Sequence, residues 1–143
     1  MKLELKHLAP YLPYKLKGKL ENEDYYPTTI GELYRLETSA DSDNIPYCIV
    51  DVYEGEIVDF KPILRPLSDL TKEIEVNGDK FIPHIKLGGR PNLKDYDIEY
   101  LSKNIDNMSY GLVSKLIEWH FDVFGLIEKG LAIDINTLPQ SSE

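Results

Sequence analysis

Ser109–Ile135, SYGLVSKLIEWHFDVFGLIEKGLAIDI, is the stretch whose reading decides the fold. Turned by about 100° per residue from Val113, the polar residues Ser114, Lys115, Glu118, Asp122 and Lys129 fall in one narrow arc. Leu112, Leu116, Ile117, Trp119, Phe121, Val123, Phe124, Leu126 and Ile127 cover well over half of the circumference, more than one contact surface needs. The spacing predicts one helix of roughly 21 residues, about 32 Å long, wrapped by the rest of the chain. Asn107 or Ser109 can cap its start. Lys129 suits its negative end, and Gly130 can take the left-handed conformation that stops it. Phe124 is then expected at the centre of the core, and Gly125 marks a kink or a close backbone contact. Leu131, Ile133 and Ile135 read as the buried face of a final strand.

The chain is 143 residues long, which fits one domain burying roughly 68–70% of the surface of its unfolded chain. The expected division is a single domain over 1–136 with a frayed tail over 137–143. Cys48 is the one cysteine, so an internal disulfide is excluded and a structural zinc site cannot rest on cysteine. The opening MKLELKHLAPYLPY has no apolar run of signal-peptide length, and no segment approaches the roughly 18–20 apolar residues of a membrane span. The expectation is a soluble, cytoplasmic protein with no membrane partner. Net charge is −9, from 25 acidic and 16 basic residues, which makes nucleic acid an unlikely ligand because its binding is driven by Lys and Arg. The charge is uneven. Residues 1–20 hold five lysines against Glu4, whereas 21–60 hold eleven acids against Arg35. A solvated acidic surface explains this blandly, and a charged interaction face explains it sharply.

Working outward, His7–Tyr14 alternates prolines with large apolar side chains, so it reads as a docked arm in polyproline or turn conformations. Tyr11 and Tyr14 belong either to the core margin or to an interaction surface. Lys15–Leu20, Ile30–Glu37 and Tyr47–Tyr53 alternate as strands. Glu21–Asp24 reads as an acidic turn. The loop Thr38–Asn44 lacks the glycine and distant glutamate of a calcium loop. Glu54-Gly55 can turn the chain into a further strand over Glu56–Phe60. The prolines of KPILRPLSDL, residues 61–70, are expected to stop the sheet, with a helical turn opening at Pro66. Within it Arg65, between Leu64 and Pro66, is expected to be held partly out of water by a carboxylate or carbonyl, or else to contact an anion. Asn77-Gly78 suits either a hairpin or a helix cap, and residues 88–106 fit either a helix or a strand. Gly88–Pro91 lacks the pattern of a phosphate loop.

The candidate catalytic pair is His120 with Asp134. On the wheel His120 lies amid the apolar arc, where desolvation lowers its pKa, and the plainer reading is a core histidine bonded to a backbone carbonyl. Asp122 would point about 200° away on a regular helix, so the two cannot close on one ion. His7 and His84 are isolated, and no serine or cysteine has the setting of a nucleophile. No cofactor or metal site is read from these residues.

Three blocks, HLAPYLPYKLK, KPILRPLSDLTKEIE and WHFDVFGLIEKGLAIDINTL, together about a third of the chain, resemble an uncharacterised family of small proteins encoded in phage, prophage and mobile-element regions of Bacteroides-type gut bacteria. The resemblance implies an intracellular bacterial or phage context and lends no activity, cofactor or catalytic residue. The expected fold is α+β, a mainly antiparallel sheet of about four to six strands packed on the long C-terminal helix. The expected role is a non-catalytic interaction or assembly module with a protein partner or a second copy. The alternatives are a small hydrolase or metal-dependent enzyme using His120 with a carboxylate, and nucleic-acid contact through the Lys-rich start.

Overall fold

The computed structural model describes residues 2–21, 30–38, 46–51, 53–87, 100 and 103–138. Expectations for Asn22–Asp24, for most of the Asp-rich loop and of 88–106, and for the last five residues lie outside them. The class is α+β. Six strands, β1 (Lys17–Leu20), β2 (Gly31–Thr38), β3 (Pro46–Val50), β4 (Tyr53–Glu56), β5 (Phe60–Leu64) and β8 (Ile133–Asp134), form one sheet in the order β4-β3-β2-β1-β5-β8. All neighbours are antiparallel except β5 and β8, which are parallel. A separate hairpin joins β6 (Ile74–Val76) to β7 (Asp79–Phe81). Its Asn77 and Gly78 have φ of 53° and 87°, the paired positive values that a two-residue hairpin requires.

The long helix does not form. The described helix, here α3, spans Tyr110–Glu118, following the single turns α1 (Leu5–Leu8) and α2 (Pro83–Lys86). Ser109 caps α3, its side chain accepting from Leu112 N–H at 3.3 Å. The helix ends by a reciprocal pair of bonds: His120 N–H donates to Ile117 O at 3.0 Å and Phe121 N–H to Leu116 O at 2.9 Å. This closure puts a left-handed residue just past the helix, and here it is His120, with φ of 64°. A non-glycine residue there costs about 1–2 kcal/mol, so tertiary bonds must hold it.

Beyond α3 the chain turns repeatedly. Both Asp122 oxygens accept backbone N–H groups, from Leu126 at 2.8 Å and Ile127 at 2.9 Å. Gly130 then repeats the helix-ending pattern, with Gly130 N–H to Ile127 O at 3.0 Å and Leu131 N–H to Leu126 O at 2.9 Å. The apolar residues that surround the wheel are thus buried on several sides because the backbone changes direction, not because one helix is enclosed. Phe121 is fully buried. Phe124 is only half-buried, its ring meeting His7 edge-on at 5.5 Å and Tyr11 at 6.4 Å. The final strand is two residues long, with Ala132 buried and Leu131, Ile133 and Ile135 half-buried.

Two further expectations are corrected. The β3–β4 turn falls at Asp51, φ 56°, because Gly55 lies opposite Cys48 within the ladder. Phe60–Leu64 is a strand despite Pro62, which pairs with Gly18 on one side, while β8 begins its pairing one residue later, at Ile63. Gly18 is needed there, since a Cβ would stand 2.4 Å from Phe60 Cζ and 2.5 Å from Lys61 O.

The N-terminal arm is α1 followed by a 3-10 turn over Ala9–Tyr14. With α3 and the turns after it, the arm covers one face of the sheet, and Leu8, Tyr11, Leu33, Phe60, Leu116 and Phe121 belong to the single core cluster. Among the described residues no helix is long and apolar enough to cross a membrane.

Candidate functional site

Four of the five residues singled out in the sequence converge on the turn after α3. Arg65 N–H donates to His120 O at 2.8 Å and Asp122 N–H to Arg65 O at 2.8 Å, which docks this turn on the end of β5. Arg65 then reaches out with its side chain, Nε donating to Trp119 O at 3.0 Å and a terminal nitrogen to Glu75 O at 3.1 Å. Its guanidinium therefore satisfies carbonyls exposed by the helix end and by the β6–β7 hairpin. Burial lowers the affinity of Arg65 for its proton, and Asp69 opposes that effect.

The arm supplies the other half. Tyr11, fully buried, donates its hydroxyl to Phe121 O and accepts from Val123 N–H at 3.3 Å. Burial raises its pKa, so the hydroxyl stays a donor. His120 Nε2 lies 2.5 Å from Tyr14 O; a carbonyl only accepts, so Nε2 carries the proton. Desolvation lowers the pKa of His120, opposed by that bond and reinforced by Arg65 and Lys17. Asp134 is engaged elsewhere, accepting from Asn136 N–H at 2.8 Å in the turn that follows β8. Among the described residues no group of three His, Cys, Asp or Glu side chains is placed to hold a metal. Cys48 is buried, and desolvation pushes its thiol up to about 12.

Beside this junction opens a broad cleft of about 1320 Å³, reached by Lys15, Lys17, Arg65 and His120 and also by Glu32, Asp51, Glu75 and Glu118. Its floor continues the sheet face that points away from the core. Strand alternation defines that face: Leu33, Leu36, Cys48, Val50, Gly18 and Leu20 point inward, and their neighbours point out. Outward cross-strand rows run Arg35–Ile49–Glu54 and Glu37–Tyr47–Glu56, then Lys17–Glu32 and Lys19–Lys61. Tyr34 sits at the irregularity between Leu33 and Arg35 with 72% of its surface exposed. Tyr47 donates to Glu37, which also pairs with Arg35. The alternation in Lys17-Gly18-Lys19-Leu20 reads from the sequence as a strand with one face in water, and the structure places it there. The outward residues of Tyr53-Glu54-Gly55-Glu56 were missed because Glu54-Gly55 reads as a turn. Compared with family models, curated proteins and solved structures, the chain matches none.

Proposed function

We propose that the chain is a non-catalytic interaction or assembly module, working inside a bacterial cell in a phage or mobile-element setting as the resemblance of its three blocks suggests. One observation carries this reading: the outward face of β2, β3 and β4 presents the exposed Tyr34 with the half-buried Tyr47 and Ile49 among charged side chains. Tyrosine on an exposed sheet face supplies a large amphipathic contact at small entropic cost. The groups suited to chemistry are occupied with holding the fold. His120 secures the arm, Arg65 closes a helix end, and Cys48 is sealed in the core.

A photo-crosslinking residue placed at position 34 in cells tests the reading, with position 110 as the control because Tyr110 is 87% exposed but lies on α3. A discrete protein adduct, identified by mass, is expected from position 34 and not from position 110. Absence of any adduct at 34, or turnover of a substrate that His120→Gln abolishes in a folded protein, would overturn it.

A further inference from the structure

The outward sheet face is electrically two-ended. At the β4 end stand Glu54 and Glu56, while on β2 the acidic Glu37 is already paired to Arg35. At the β1–β5 end stand Lys17, opposite Glu32 of β2, with Lys19 and Lys61, of which Lys61 is paired to Glu21 at 3.4 Å. Between the two ends lie Tyr34, Tyr47 and Ile49. From β4 to β5 there are four strand spacings, about 19 Å at 4.7–4.9 Å each. Separation of that size exceeds the Debye length of about 8–10 Å at ordinary salt, so the halves act on a partner as distinct poles.

We infer that this face docks on the same face of a second copy, turned by a two-fold rotation so that each acidic β4 end lies over the partner's β1–β5 lysines. This rests on the interaction reading above and names its partner. Two-fold symmetry satisfies both poles at once, whereas a translated copy would satisfy only one. The tyrosines and Ile49 then meet at the centre, in the manner of two packed sheets. Charge also chooses against the alternative edge-to-edge pairing of two β4 strands, which would set Glu54 and Glu56 against their own copies. A face only five strands wide lies at the small end of stable interfaces, so the dimer is expected to be weak and readily reversible.

Sedimentation of the whole chain across concentration, at low and high salt, tests the inference. A monomer–dimer equilibrium is expected, weakened by salt. The pair Glu54→Lys/Glu56→Lys and the pair Lys17→Glu/Lys19→Glu should each weaken self-association by at least about tenfold. Mixed together, these two variants should associate with each other, and the chain carrying all four changes should recover self-association. Circular dichroism melts of each variant separate loss of docking from loss of fold, since all four side chains lie on the outward face. A wild-type chain that stays monomeric at every concentration, or charge-reversed variants that associate as the wild type does, would overturn the docking. If the wild type is monomeric while position 34 still crosslinks to another protein, self-docking falls and the interaction reading stands. If neither signal appears, both fall.

Discussion

Tyr11→Phe removes one oxygen from the centre of the latch by which the N-terminal arm holds the turn after α3, and leaves the ring in place. The hydroxyl makes two buried contacts, donating to Phe121 O and accepting from Val123 N–H at 3.3 Å. Neither partner is wholly orphaned by its loss, because Val123 N–H also reaches Phe121 O at 3.0 Å. The penalty should therefore lie below that of a fully unsatisfied buried pair and near the value of one good hydrogen bond plus incomplete satisfaction, about 1–2 kcal/mol. Truncation to alanine would add the cavity left by the ring, for a total of about 3–5 kcal/mol. Urea titration followed by the fluorescence of Trp119 reads this directly. That residue is the single tryptophan, is buried and packs against Phe81 at 4.9 Å between ring centroids. The midpoint should fall by about 0.5–1 M with the slope unchanged. An unchanged midpoint for Tyr11→Phe would mean that the hydroxyl does not hold the turn, and the latch would have to be assigned to packing alone.

Gly18→Ala should destabilise by about 1–3 kcal/mol or more, since its Cβ would meet the Phe60 ring and the Lys61 carbonyl, both within 2.5 Å. Gly111→Ala, with nothing within 4 Å of the added methyl, should instead stabilise α3 by up to about 1 kcal/mol, and thermal melts of the two variants should move in opposite directions. Phe121→Ala should cost about 3–5 kcal/mol and Phe124→Ala clearly less, because only Phe121 is fully buried; equal losses in denaturant would place both rings in one core. Acid should weaken the fold through two histidines. Desolvation lowers the pKa of both His7 and His120, so the unfolded chain binds more protons than the folded one. Stability is then complete above the unfolded value of about 6.5 and declines as pH falls through it toward the depressed folded values. His7 adds a geometric reason, since its Nδ1 accepts from Glu4 N–H at 3.0 Å and cannot do so once protonated. A midpoint that stays flat between about pH 7 and 5 in the wild type would refute the assignment.

The strands were legible because they alternate. Lys17–Leu20, Gly31–Thr38 and Pro46–Val50 carry their buried residues at every second position, apart from the irregularity at Tyr34, and an alternating pattern on a half-covered sheet has one natural reading. The segment after α3 was not legible for a complementary reason. A helical wheel assumes that the backbone continues, and the usual sign that it stops is a glycine just past the last turn. Here that position is filled by His120, whose left-handed conformation is maintained by partners far off in sequence: the Tyr14 carbonyl and the Arg65 backbone. Gly125, with φ of 70°, was the local clue that the chain had already left the helix. Among the site residues, the partial burial of Arg65 between two apolar neighbours was readable, whereas its choice of Trp119 and Glu75 carbonyls depended on where the helix end and the hairpin came to rest.

The latch between arm and turn also sets an order of events when the chain is made. Tyr11 leaves the ribosome 112 residues ahead of its partner Val123. At about 5–20 residues per second that interval is roughly 6–20 s. During this time Tyr11 and Leu8 have neither Phe121 nor Leu116 to pack on, so the side of the arm that meets them stays uncovered over that interval. The β2–β3–β4 meander, whose contacts are local, can close well before that moment, while the arm's contacts with α3 and the turn after it must wait. Loop-closure entropy then falls on the last step. Docking of the arm would be the slow phase of folding and the point at which a chaperone that binds exposed tyrosine and leucine has most time to act.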